Sequence, residues 1–263
     1  MEIDTVLLVG IFSAMFAAGL LLGFVGAGGS GFIISILTTM FGLPIHTALG
    51  TALSAMIFSS LSGTVSHYRE GNIVLRDGLI IGIFGACGAW LCTQISVSIE
   101  AGVLKYLTAA ILFLSSAMLW LRMYIVSRDK VAIAHNEVAA GHEQNAAASW
   151  GKRGIIGLVC GALSGLFGVG ATPFIQISLM TLLGMKVTQA AGTTMLVIVP
   201  IAIAGGAGFY GTGHLDLRLL AIVLTAITVG SYIGAKFTKR LPSIVLKSAM
   251  VSIPMLGAIL LLI

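Results

Sequence analysis

Gly23-Phe24-Val25-Gly26-Ala27-Gly28-Gly29-Ser30-Gly31-Phe32 has a second version at an offset of 142 residues, Gly165-Leu166-Phe167-Gly168-Val169-Gly170-Ala171-Thr172-Pro173-Phe174. The register continues without a gap. Gly42, Ala48, Gly50, Thr51, Tyr68, Gly71, Arg76 and Gly88 fall on Gly184, Ala190, Gly192, Thr193, Tyr210, Gly213, Arg218 and Gly230. Glycine-rich stretches match one another easily, but an ungapped register that includes Phe, Tyr and Arg is not chance. The chain is two copies of one unit.

Each motif separates a long apolar run from a short one. The runs are 3–25, 30–43, 46–66, 78–98 and 103–125, then 154–169, 172–183, 187–210, 217–235 and 243–263. A membrane crossing takes about 20 residues at 1.5 Å each, so 30–43 and 172–183 are too short to span unaided. Between the sets lies 127–152, which holds much of the charge and reads as a solvated loop with some helix.

Composition fixes the solvent. Of 263 residues, 58% are hydrophobic and 9% charged, and the mean hydropathy is +1.09. Soluble domains carry about 25% charged residues, so a globule of this chain could not cover its surface with polar groups. Soluble enzyme, disordered chain, disulfide scaffold and nucleic-acid binder are excluded. The net charge of +5 fits cytoplasmic loops of a membrane protein. Cys87, Cys92 and Cys160 lie inside apolar runs and read as small packing residues. Glu2 and Asp4 stand where a secretory leader needs basic residues, so the first run belongs to the fold.

Five segments per unit is an odd number and would invert the second copy. With 127–152 cytoplasmic, an inverted arrangement puts Arg69, Arg76, Arg122, Arg128, Lys130, Lys152, Arg153, Lys186, Lys236, Lys239, Arg240 and Lys247 inside, and Lys105 and Arg218 outside. Parallel units would move Lys186 and the four cations from Lys236 to Lys247 outside, and bring in only Arg218. The positive-inside rule selects inversion, with both termini outside. The expectation is an all-α polytopic membrane protein of two inverted repeats, each of about five segments, with short broken or re-entrant helices at the Gly-rich motifs. The first repeat covers 1–126, the linker 127–152 and the second repeat 153–263, together one transmembrane domain in the cell (inner) membrane.

Interrupted, short segments at corresponding positions of two halves are the best pointer in a sequence to a transporter's binding site. Glycine lets the backbone leave the helix, and Pro173 suits the first turn of one that restarts. The N–H groups freed there, at the positive end of the helix dipole, attract an anion. Small residues that merely let helices pack closely are the plainer reading of either motif alone; duplication beside two short segments favours a site. The candidates for substrate contact are Gly26, Gly28, Gly29 and Ser30 in the first copy and Gly168, Gly170, Ala171 and Thr172 in the second. Thr51 and Ser54, with Thr193 and Thr194, offer hydroxyls in the next segment, which either meet an oxyanion or bond back to their own helix. Gln176, where the first copy has Ile34, fits a cavity lining and a bond to a neighbouring helix equally well.

All nine acids lie in loops or at segment ends. Proton and sodium coupling commonly uses an intramembrane carboxylate, so coupling here falls to the substrate's charge, a histidine, backbone carbonyls or nothing. His46 and His67 stand at opposite ends of the third segment, and Arg76 and Arg218 at opposite faces. These four are candidates for vestibule or gate, with plain interfacial anchoring as the alternative. Gly161-Ala162-Leu163-Ser164-Gly165 has the pattern of an intramembrane serine hydrolase, but no histidine lies deep in a segment to activate Ser164. The expectation is no enzyme, no metal and no cofactor.

Gly26-Ala27-Gly28-Gly29-Ser30, Gly42-Leu43-Pro44, Ala48-Leu49-Gly50-Thr51, Ser62-Gly63 and Gly71-Asn72 together resemble the TauE/SafE family, the sulfite exporters. Gly168-Val169-Gly170, Ala190-Ala191-Gly192-Thr193-Thr194 and Gly213-His214-Leu215-Asp216 are similar to its second-half pattern. The resemblance covers nearly the whole chain. It departs at Ser30 and Ile34-Ser35, where the family usually has a further glycine and a proline, and at Ala171-Thr172-Pro173, where members tend to have glycines. The resemblance implies export of a small sulfur-containing anion such as sulfite, sulfoacetate or another organosulfonate. The residues by themselves support only a small anion as substrate, moved by alternating access. A passive anion channel and a carrier of another organic anion stay open, as does a homodimer. The partners expected are that anion and the lipid bilayer, with no nucleic acid.

Overall fold

The computed structural model describes residues 5–25, 30–132, 146–169, 171–238 and 243–262. Ten helices occupy them, with no strand among the described residues. They are α1 (Thr5–Val25), α2 (Ser30–Ser35, continued by a π-helical turn Ile36–Met40), α3 (Ile45–Arg69), α4 (Leu75–Ser98) and α5 (Ala101–Ala132), then α6 (Ala146–Phe167), α7 (Thr172–Leu182), α8 (Val187–Gly211), α9 (Leu217–Thr238) and α10 (Ser243–Leu262). The apolar runs locate these helices closely. The charged stretch 127–152 is more helical than a solvated loop at both ends, because α5 runs on to Ala132 and α6 begins at Ala146; 133–145 lie outside the described residues.

Helices α3, α4 and α8 and the 101–121 part of α5 are long and apolar enough to cross a bilayer. Large apolar side chains such as Ile83, Leu91, Trp120 and Ile203 are half exposed or more. In water that surface would drive aggregation; in a bilayer it is the lipid face. The protein is a multi-pass membrane protein. The π-extended α2 and α7 each span 11 residues, about 16 Å and so half of a hydrocarbon core.

The 142-residue offset recurs in the backbone. α3 and α8 both end in a Schellman cap with glycine at positive φ: Gly71 (φ 70°) and Gly213 (φ 75°). Asn72 N–H donates to His67 O as His214 N–H donates to Phe209 O, and Gly71 N–H to Tyr68 O as Gly213 N–H to Tyr210 O. Before α3 and α8, Leu43 N–H donates to Leu37 O and Met185 N–H to Leu179 O, each across a glycine at φ 62°. Asp216 then opens α9, its Oδ1 accepting from Arg218 N–H at 2.7 Å and Leu219 N–H at 3.3 Å.

Packing crosses between the halves. α4 lies parallel to α6 in backbone contact: a Cβ on Gly161 would fall on the Gly85 carbonyl, and one on Gly165 on the Ala89 carbonyl. α1 and α9 repeat the arrangement, with Gly19 against Ile227 and Gly230 against Phe16 and Leu20. Small residues supply such interfaces because lipid leaves packing, not hydrophobicity, to hold helices together. At the centre α3 runs antiparallel to α8: Gly50 meets Phe209, Ser54 meets Gly206, and Gly63 meets Met195. α10 lies on α5 through Ser116 Oγ to Val251 O (2.8 Å) and on α2 through Ser35 Oγ to Gly257 O (2.6 Å). The central contact is self-consistent under exchange: Gly50 faces Phe209 and the His214 carbonyl, while Gly192 faces His67 and the Asn72 carbonyl.

Candidate functional site

Gly26, Gly28, Gly29 and Gly170 lie outside the described residues. What borders them is described. Gly168 turns the chain out of α6 at φ 61°, and Ala171 enters α7 at φ 42°, ψ 21°, left-handed although it carries a Cβ. A non-glycine residue there costs about 1 kcal/mol or more. Pro173 then sits in the first turn of α7. The break packs directly on α3: a Cβ on Gly168 would lie 2.9 Å from Leu49 Cα. Ser30, at the head of α2, is buried, and Thr172 is half-buried.

Further along α3 from Leu49 stand Thr51 and Ser54, 0% and 3% exposed. Neither hydroxyl has a hydrogen-bond partner among the described residues, and the same holds for Oε1 of Gln176, 5% exposed, in the second turn of α7. A buried polar atom left unsatisfied costs about 1–3 kcal/mol. Ser54 Oγ faces Gly206 of α8, and Gln176 lies on α7.

The second-copy hydroxyls are used otherwise. Thr193 Oγ1 accepts the Val74 N–H at 3.1 Å, fastening α8 to the head of α4. Thr194 Oγ1 donates to Ala190 O at 2.7 Å, a bond back to its own helix. Both side chains are fully buried.

The expected vestibule residues divide between the two ends of α3. His46 Nε2 lies 3.2 Å from Ser96 O, and its ring stacks obliquely on His214, centroids 5.3 Å apart. Arg218 follows His214 on the same end and is exposed. At the other end His67 Nδ1 is 3.7 Å from Glu70 Oε2, and the Arg76 guanidinium lies 6.0 Å from the centre of the Trp150 ring. Asp77 forms an ion pair with Arg153 at 2.8 Å, both largely buried, joining α4 to α6.

Sequence reasoning missed three groups. The Thr108 and Thr38 hydroxyls on α5 and the α2 π-turn lack partners among the described residues, as does His214 Nδ1. The first two carried a usable signal, hydroxyls within apolar runs. His214 did not, because its counterpart Asn72 lies in an ordinary cap. Ser164, the foothold of the hydrolase reading, is fully buried and donates to Cys160 O one turn back at 2.9 Å.

The comparisons with known proteins agree on one class. The profile of the sulfite exporter TauE/SafE family matches residues 11–261. A probable membrane transporter protein of Bacillus subtilis, YdhB, is 45% identical over 252 residues, covering 96% of this chain and 99% of its own. A second Bacillus subtilis protein, YjnA, also named a probable membrane transporter, is 24% identical over 90% of this chain and 92% of its own. A probable membrane transporter of Haemophilus influenzae is 24% identical over 88% of each. No solved structure matches. The relatives carry a transporter's name, not an enzyme's, and this chain belongs to the sulfite exporter TauE/SafE family of membrane proteins.

Proposed function

We propose that the protein exports a small sulfur-containing oxyanion, of the class of sulfite, sulfoacetate or another organosulfonate, across the cell (inner) membrane. The carrying observation is that the buried Thr51 and Ser54 hydroxyls and Gln176 Oε1 have no partner among the described residues, on α3 and α7, the two helices that meet or follow the left-handed positions Gly168 and Ala171. The Thr51 and Ser54 hydroxyls with freed backbone N–H groups donate to an anion without a buried cation, while Gln176 Oε1 accepts from a protonated oxygen of the substrate. The anion sits between α3 and the head of α7, with Ser30 and Thr172 at the heads of α2 and α7 as further contacts. Thr193 and Thr194 shape it from behind rather than touching the anion.

Counterpart helices that run antiparallel, α3 with α8, support inverted repeats over 1–126 and 153–263. The cation distribution supports a cytoplasmic linker and external termini. Transport follows alternating access to the break. His46 and His214 close one end, and His67 and Arg76 flank the other.

Flux of sulfite, sulfoacetate, sulfate and small carboxylates from proteoliposomes tests this reading. A carrier gives saturable flux and counterflow for one sulfur oxyanion, reduced at least tenfold by Gln176→Leu. Flux without saturation or counterflow indicates a channel, and flux of carboxylates alone replaces the substrate.

A further inference from the structure

One face of α3 turns away from α8 and is left open by the described residues. Phe58, Leu61, Ser62, Val65, Ser66 and Arg69 follow one another along the helix and, with Glu70 just beyond it, line an open groove of about 660 Å³. Phe58, Leu61 and Val65 are about half exposed, while the opposite face of the same helix, with Leu53, Met56 and Ser60, is buried. Phe58 stands roughly midway along the 25-residue helix, and Arg69 is its last residue. At 1.5 Å per residue the groove is about 16 Å long, the depth of one hydrocarbon leaflet at about 15 Å.

The groove alternates large apolar side chains with Ser62 and Ser66 along its length and carries Arg69 and Glu70 at one end. Arg69 makes no ion pair or hydrogen bond with a described residue. Glu70 lines the same end but is not paired with Arg69: its Oε2 accepts from Asn72 Nδ2 at 3.1 Å and lies 3.7 Å from His67 Nδ1, which leaves the Arg69 guanidinium open to a ligand. An exposed guanidinium at the polar end of a leaflet-deep groove complements a molecule with an acyl chain and a phosphate, and Arg is the side chain whose fork matches phosphate geometry.

We propose that this face of α3 binds an anionic phospholipid, its acyl chain along Phe58, Leu61 and Val65 and its phosphate on Arg69. Only the assignment to the cytoplasmic leaflet, where anionic lipids provide the negative surface, rests on the orientation proposed above. The site itself does not depend on which solute is transported.

The test uses the full chain purified in mild detergent, with bound lipid counted by native mass spectrometry and Tm followed on lipid addition. Phosphatidylglycerol is expected to be retained and to raise Tm by mass action, and phosphatidylcholine with the same acyl chains to bind about fivefold more weakly. Inorganic phosphate is expected to leave Tm unchanged. Arg69→Gln brings phosphatidylglycerol down to the phosphatidylcholine level, Arg69→Lys keeps most of the preference, and Ser62→Trp, which fills the groove from an exposed position, lowers retention of both lipids. Equal retention of the two lipids by the wild type, or a preference that survives Arg69→Gln, overturns the proposal. So does a Tm rise with inorganic phosphate alone, which makes the end a free-anion site. If Ser62→Trp changes the oligomeric state while lipid retention stays the same, the groove belongs to a second copy and the proposal is wrong. Because binding is read without transport, a failure here and a failure of the flux experiment are separate results.

Discussion

Thr51 and Thr193 occupy the same position in the two copies, yet one hydroxyl is tied and the other is not. Thr193 accepts the Val74 N–H, whereas Thr51 is fully buried with no partner among the described residues. The same contrast appears where α4 meets α6: Asp77 and Arg153 form an ion pair there, and their counterparts in α9 and α1 are Leu219 and Ile11, both fully buried. The backbone of the two copies is alike, down to the φ of the capping glycines. What differs is the placement of polar groups. A duplicated scaffold keeps its geometry because packing requires it, so the polar departures from symmetry are where function and specificity show.

The largest break in that comparison comes from Arg153→Ala, which strands Asp77 at 9% exposure. We expect a loss of about 3 kcal/mol in detergent unfolding. The double variant Asp77→Leu with Arg153→Ile copies the α1–α9 chemistry into α4–α6 and should recover most of that loss. Next in size is Gly161→Ala, whose Cβ meets the Gly85 carbonyl of an unyielding helix. It should cost about 2–3 kcal/mol. Gly19→Ala, the equivalent change in α1, has more room at 2.8 Å from Ile227 O and should cost about 1 kcal/mol.

The two threonines give opposite signs. Thr193→Val leaves the Val74 N–H without its acceptor and should lower stability by about 1–2 kcal/mol. Thr51→Val removes an unsatisfied hydroxyl at nearly constant volume and should leave stability unchanged or slightly raised. Smallest is Ala171→Gly, which relaxes the left-handed residue (φ 42°) and should stabilise by about 0.5 kcal/mol, the relief being partly offset by glycine's greater unfolded-state entropy. Urea or thermal unfolding of each variant in one detergent reads the series.

Much of the fold was legible because each signal was local. Apolar runs bounded by Gly42, Gly71, Gly184 and Gly213 located the helices, and the shared register exposed the duplication. Partners were not legible. The glycines of α4 announce a close approach without saying that α6, from the other copy, makes it, and nothing in the chain joins Asp77 to Arg153 or His46 to His214 before it folds. Of the site, Thr51, Ser54 and Gln176 could be named as polar residues within apolar runs. Whether a hydroxyl bonds back to its helix, as Thr194 does, or faces a cavity depends on rotamer and neighbour, which no spacing encodes.

On the function proposed above, the unpartnered Thr51 hydroxyl holds the anion while its second-copy counterpart Thr193 holds the fold. Counterflow of labelled sulfite in proteoliposomes, measured side by side for Thr51→Val and for Thr193→Val at matched folded protein, tests it most directly. The account predicts that Thr51→Val, fully stable, loses at least tenfold in uptake, while Thr193→Val loses stability but transports close to wild type per folded molecule. Undiminished transport by Thr51→Val and Ser54→Ala together would contradict it.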